Sequence, residues 1–102
     1  MDKKTKYTIT DILHSGRRGL RNMPSNDPKY NGIAGSVVTL RNVNKIEDYK
    51  QFDELQFNFV DTKSNYEIWN ATPIVAIGMD KSGRYVVETV NTIYHMKEVK
   101  DE

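Results

Sequence analysis

Side chains branched at Cβ dominate the apolar inventory of this chain: Ile and Val supply 17 residues, against four Leu and three Ala. Such side chains lose rotamer freedom in a helix but pack well on a pleated sheet. Six Tyr, three Phe and one Trp push the same way. The best helix formers are scarce, so the composition predicts a mainly β fold and argues against a helix bundle. Ile, Val, Leu and Phe make up 24 of the 102 residues, just above the level of about one-fifth below which disorder is the default. One modest core in a single domain over 1–102 is expected.

From Ser36 onward the pattern is strand-like. Val37-Val38-Thr39-Leu40 is a first run, and Leu55, Phe57 and Phe59 alternate with Gln56 and Asn58, the period-two signature of a half-buried strand. Asn44 to Tyr49 reads as either a helical turn or a charged edge. Tyr66 to Trp69 is a further run, after which Pro73 suits the entry to a new strand better than its middle. Ile74–Ile77 and Arg84–Val90 flank Asp80-Lys81-Ser82-Gly83, where an early Asp and a final Gly meet the needs of a type I turn with a left-handed residue after it. Thr92 to Met96 makes a last strand, and 99–102 a charged, frayed tail. Five or six short strands at this spacing predict a small antiparallel barrel or twisted sheet over 36–98.

The first 35 residues differ. Tyr7, Ile9, Ile12 and Leu13 are the clustered apolar residues before position 20. A Thr8 or Thr10 hydroxyl can accept from an unpaired backbone N–H, and Gly16 can end a helix, so one or two helical turns are expected over about 10–15. Residues 16–35 then hold four of the six glycines and two of the three prolines. That density makes a long loop, and long loops in compact domains are commonly binding elements or disordered.

Charge is near balance at +1, yet residues 1–41 carry eight Lys/Arg against three Asp/Glu, and 42–102 carry seven against eleven. A generic DNA-coating protein shows a broad basic face, which this balance disfavours. With no cysteine there is no disulfide framework, thiol nucleophile or thiolate metal site. No apolar run reaches membrane-spanning length and no apolar stretch follows the charged start, so a cytoplasmic protein without membrane contact is expected. His14 and His95 each have a carboxylate three residues away, Asp11 and Glu98, which is too few ligands to define a metal site. No nucleophile elbow, phosphate loop or dinucleotide fingerprint is present. Neither catalysis nor a cofactor is expected.

Binding has better material. Gly16-Arg17-Arg18-Gly19 with Arg21 places three guanidinium groups where glycines let the backbone approach a ligand. Arg presents a planar fork matched to phosphate or carboxylate, and turn N–H groups add to an anion site. Lys29 supplies further charge, and Tyr30 or Trp69 a stacking face. The competing structural reading pairs this arm with acidic patches such as Glu47-Asp48.

Two stretches carry a resemblance: Trp69-Asn70-Ala71-Thr72-Pro73-Ile74-Val75 and, beyond the hairpin, Thr89-Val90-Asn91-Thr92-Ile93-Tyr94. They resemble a pattern in small uncharacterised phage-encoded β proteins, where an aromatic precedes a Ser/Thr-Pro-Val strand and a later Thr-x-Asn-Ser/Thr-x-Tyr strand closes the sheet. Ile74 separates Pro73 from Val75, a departure from that pattern. The similarity spans about 36–98 and omits the basic loop. It implies a viral or prophage origin, host-cytoplasm localisation and a non-enzymatic role, such as sequestering a nucleotide immune signal or blocking a host protein.

The expected function is therefore sequestration of a phosphate-bearing nucleotide or similar anion by Arg17, Arg18, Arg21, Lys29, Tyr30 and Trp69. A chain this short has little room for a deep pocket of its own, so a homo-oligomer is expected. The alternative is a module that binds a host protein through the N-terminal arm; a third is an RNA or DNA binder.

Overall fold

A computed structural model describes residues 4–16, 19–25, 27–30, 32–61 and 66–100. The fold is mainly β, with six strands: β1 (Lys6–His14), β2 (Val37–Leu40), β3 (Glu54–Phe59), β4 (Ile68–Met79), β5 (Tyr85–Thr89) and β6 (Thr92–Glu98). Each strand pairs antiparallel with the next, and β6 returns to pair with β1, so the sheet closes into a ring in chain order. Alternation explains what fills the ring. Ile9, Val38, Leu55, Phe57, Val87 and Met96 point inward and are fully buried. Two short 3-10 turns, Pro28–Tyr30 and Ile46–Asp48, are the helical elements among the described residues.

The helical turns expected over 10–15 are replaced by β1. That strand pairs Ile9 with Met96 but Asp11 with His95, leaving Thr10 as the extra residue of a bulge. Tyr7 and Ile9 face inward before the bulge, and Ile12 does so after it. A bulge changes the parity of the pleat, so the inward residues fall three apart, which is also helical spacing. The ladder to β6 decides between the two. The β core consequently begins at Lys6 rather than at 36.

Pro73 is likewise inside a strand rather than at an entry, because the two runs around it are one 12-residue strand. The first half of β4 pairs with β3 as far as Glu54–Pro73, and the second half pairs with β5 from Ile74. Both ladders shift register at this point, so the missing proline N–H falls where pairing changes sides. The expected hairpin is present, with Gly83 at φ +86° and its N–H donating to Asp80 O at 3.1 Å.

Described residues of the segment after β1 bond back to that strand. Asn22 N–H donates to His14 O at 3.0 Å, His14 N–H to Met23 O at 2.9 Å and Ser25 N–H to Ile12 O at 2.9 Å. Ile33 from the same segment is fully buried in the core. Ile46 and Tyr49, from the β2–β3 connection, are also buried. Of the tail, Val99 N–H still donates to Lys6 O at 2.9 Å, and 101–102 lie outside the described residues.

Candidate ligand-binding site

The site is built on the turn between β5 and β6. Thr89 Oγ1 donates to Thr92 O at 2.9 Å and accepts from Thr92 N–H at 3.2 Å, closing the turn with one hydroxyl. Val90 N–H reaches Pro73 O at 3.2 Å, Asn91 N–H reaches Thr72 Oγ1 at 3.3 Å, and Ser15 N–H reaches Asn91 O at 3.3 Å. The turn is thus pinned to β4 and to the residue that follows β1. The stretches Trp69–Val75 and Thr89–Tyr94 meet here. Part of their pattern has a local cause, since Thr89, Thr72 and Pro73 hold the turn in place.

Asp27 positions the next layer. Its Oδ1 accepts from Lys29 N–H at 3.0 Å and its carbonyl from Tyr30 N–H at 3.0 Å, while Pro28 presets the backbone of the short helical turn. Tyr30 then reaches across, its Oη 2.9 Å from Thr92 Oγ1. Trp69, on β4, donates from Nε1 to Tyr94 Oη at 3.1 Å. Burial is the main reason the Tyr94 phenol is held well above its usual range, so it stays neutral. The rings of Tyr30 and Trp69 lie 5.7 Å apart at 53°, and Tyr66 meets Trp69 edge-on at 4.9 Å. Lys29 Nζ stands 5.1 Å from the Tyr30 ring centre and 3.8 Å from Asp27 Oδ2.

Three hollows share Tyr30. One of about 420 Å³ runs between β1 and the segment 24–34, with Thr10, Asp11, Ser25 and Asp27 on its walls. A second, of about 200 Å³, lies between His14, Lys29 and Asn91. A third, of about 70 Å³, is lined by Lys29, Tyr30, Trp69, Asn70, Thr92 and Tyr94. The first alone has the volume typical of a small-molecule site; the other two share Tyr30 with it and lie beside Lys29 and Trp69.

Of the six residues expected to bind, Lys29, Tyr30 and Trp69 come together here. Arg21 does not. Its guanidinium grips Glu88 through two bonds, Nη1 to Oε2 at 2.7 Å and Nη2 to Oε1 at 2.6 Å, and Ser15 Oγ donates to Glu88 Oε2 at 2.6 Å. Its fork is filled by a carboxylate of β5, so the expected three-guanidinium grip is corrected for this residue. Arg17 and Arg18 lie outside the described residues. The structural pairing of the arm is real, but its acid is Glu88 rather than Glu47-Asp48; Glu47 accepts from Tyr85 Oη at 2.8 Å.

Asp27, Asn91, Thr92 and Tyr94 are site residues that sequence reasoning missed. The Thr-x-Asn-Thr-x-Tyr stretch is the available signal for three of them. Asp11 belongs with His95, whose Nδ1 is 3.6 Å from Asp11 Oδ2, and with Arg84 at 2.7 Å, whereas local spacing alone places it with His14. Among the described residues no group of three or more His, Asp or Glu is placed to hold a metal ion. None of their helices is long and apolar enough to cross a membrane.

These features define a closed six-stranded β ring with an aromatic and lysine cleft at the β5–β6 turn. No protein-family model, curated protein or solved structure matches the chain.

Proposed function

We propose that this is a non-enzymatic binding protein that sequesters a phosphate-bearing nucleotide or a similar planar anion in the groove around Tyr30. The observation that carries the reading is the meeting of the neighbours Lys29 and Tyr30 with Trp69, far along the chain, at a small hollow that shares Tyr30 with one of ligand size. Lys29 faces the phosphate. Tyr30 and Trp69 offer ring faces to the base. Asp27 and Asp11 repel phosphate but accept from sugar hydroxyls or ring N–H groups, which orients the ligand with its charge toward Lys29. On the resemblance to phage proteins, the ligand is a host nucleotide signal and the role is anti-defence. Bonding of residues 22–25 along β1 favours this reading over an N-terminal arm held free for a host protein.

Thermal-shift and calorimetric titration against mono-, di- and cyclic nucleotides tests it. Ligand at about 100 times its Kd adds about 2.7 kcal/mol of stability. Lys29→Ala abolishes that gain while melting like the parent without ligand. An unchanged melt across the whole nucleotide panel overturns the proposal.

A further inference from the structure

Past Pro73, strand β4 outruns β3. The β4–β5 hairpin closes on Asp80 and Arg84, with Asp80 N–H donating to Arg84 O at 2.9 Å. Bonded and non-bonded pairs alternate along an antiparallel ladder. Gly78–Val86 and Ala76–Glu88 are therefore the bonded pairs, and Ile77 and Met79 turn their N–H and C=O groups away from β5. On that outer side the pairing with β3 ends at Glu54–Pro73; Phe52 N–H and Asp53 O take Ile74, and Gln51 Nε2 takes Val75 O at 3.2 Å. Among the described residues, no strand and no backbone bond reaches Ile77 or Met79 from there.

Open strand edges are normally guarded by a charge, a proline or a bulge. Residues 76–79, Ala-Ile-Gly-Met, have none of these, and Met79 is 57 % exposed. Gly78 adds an independent observation. It lacks a positive φ, and a Cβ built on it meets nothing within 4 Å, so nothing within one copy calls for glycine there. A glycine inside a strand commonly marks the close approach of another backbone.

The geometry points to this edge as a self-association site: two copies pair antiparallel through residues 76–79 about a two-fold axis at Gly78. The arrangement is self-complementary. Ile77 lies opposite the partner's Met79, and each of the two such pairs exchanges two backbone bonds. The two Gly78 residues face one another as a non-bonded pair. Lys81, exposed at the hairpin tip, reaches the partner's segment 51–54, where Asp53 and Glu54 are exposed acids. An axis at Ile77 instead would drive the hairpin tip into Phe52, which already occupies the place beside Ile74. Charge and register thus select a second copy over an unrelated strand.

The chain contains no cysteine, so one introduced at the axis reports the pairing directly. A non-bonded antiparallel pair holds its Cα atoms about 4.5 Å apart, within disulfide range. Gly78→Cys is expected to oxidise rapidly to a linked dimer, and Ser82→Cys at the hairpin tip to lag far behind. Sedimentation of the unaltered chain is expected to give twice the chain mass. Met79→Pro removes an outward N–H that no bond within the copy uses, so it is expected to sediment as a monomer with the circular dichroism spectrum of the parent. A monomeric parent at its highest soluble concentration overturns the proposal, as does a dimer that survives Met79→Pro. Equal crosslinking of the two cysteine variants overturns it too. So does a monomer that captures an unrelated extended peptide at this edge, which would assign the edge to another partner.

Discussion

Trp69 Nε1 donates to Tyr94 Oη at 3.1 Å, which fixes the edge of the indole while Tyr30 and Tyr66 meet its ring. A ring held this way is preorganised, so little rotamer freedom remains to be lost on stacking. As the chain's single tryptophan, it is also a local reporter. Nucleotide binding is expected to change Trp69 fluorescence saturably, and Lys29→Ala to remove the response. Trp69→Phe keeps a ring but loses the bond to Tyr94, at about 1 kcal/mol. Thermal melting is expected to fall by about 4–8 °C, the shift that this loss produces in a domain of this size.

In the core, a single phenol satisfies a buried backbone donor. Ile46 N–H donates to Tyr7 Oη at 3.0 Å, and both residues are fully buried. Burial raises the Tyr7 phenol above its usual range, which keeps it neutral at any ordinary pH. Tyr7→Phe preserves the ring and its edge contact with Tyr85 but orphans that N–H. The expected loss is about 1–3 kcal/mol, the cost of an unsatisfied buried donor, measured by denaturant titration with an unchanged m-value. A neutral result would mean that Ile46 N–H finds another acceptor.

What the chain reveals before folding depends on how local each cause is. The strand at Leu55 and Phe57 and the hairpin at Asp80–Gly83 are legible because each signal lies within a few residues. Ring closure is not, since pairing Tyr7 with Glu98 leaves no local trace. At Thr10 and Val75 the bulges shift the pleat, so a period-two reading misassigns the residues beyond them. The site divides the same way. Lys29, Tyr30 and Trp69 are recognisable by type, whereas Arg21 is decided by Glu88, 67 residues away, which occupies the fork a ligand would need.

Two glycines with equally open surroundings are expected to respond oppositely to alanine. A Cβ on Gly83 or on Gly78 meets nothing within 4 Å, so packing does not separate them. Backbone conformation does. Gly83 has φ +86°, where an L side chain crowds its own carbonyl, and Gly83→Ala should destabilise by about 1–2 kcal/mol. Gly78 is in extended backbone, where alanine restricts the unfolded chain and should stabilise by about 0.4–1 kcal/mol. Equilibrium unfolding at low protein concentration, where self-association does not contribute, checks both signs.

Acid sensitivity follows from Glu88. The Arg21 guanidinium, aided by the Ser15 hydroxyl, lowers its carboxyl from an ordinary 4.5 to about 2 in the folded chain. Above about pH 4.5 the group is ionised in both states, and the Arg21 contact contributes fully. As pH falls below that value the unfolded chain takes up the proton first, so stability drops until the folded carboxyl also protonates near 2. Asp80 acts in the same sense from 3.8 down to about 2, held by Ser82 and Arg84 in the hairpin. Thermal melts between about pH 5 and about pH 2 should therefore show a declining melting temperature. Glu88→Gln should flatten the decline, and Glu88→Gln with Asp80→Asn should flatten it further. Arg21→Ala narrows the window without closing it, because Ser15 still donates to Glu88 at 2.6 Å. An undiminished slope in Glu88→Gln would show that the Arg21–Glu88 contact does not hold in solution, and would return Arg21 to the set of residues free to meet an anion.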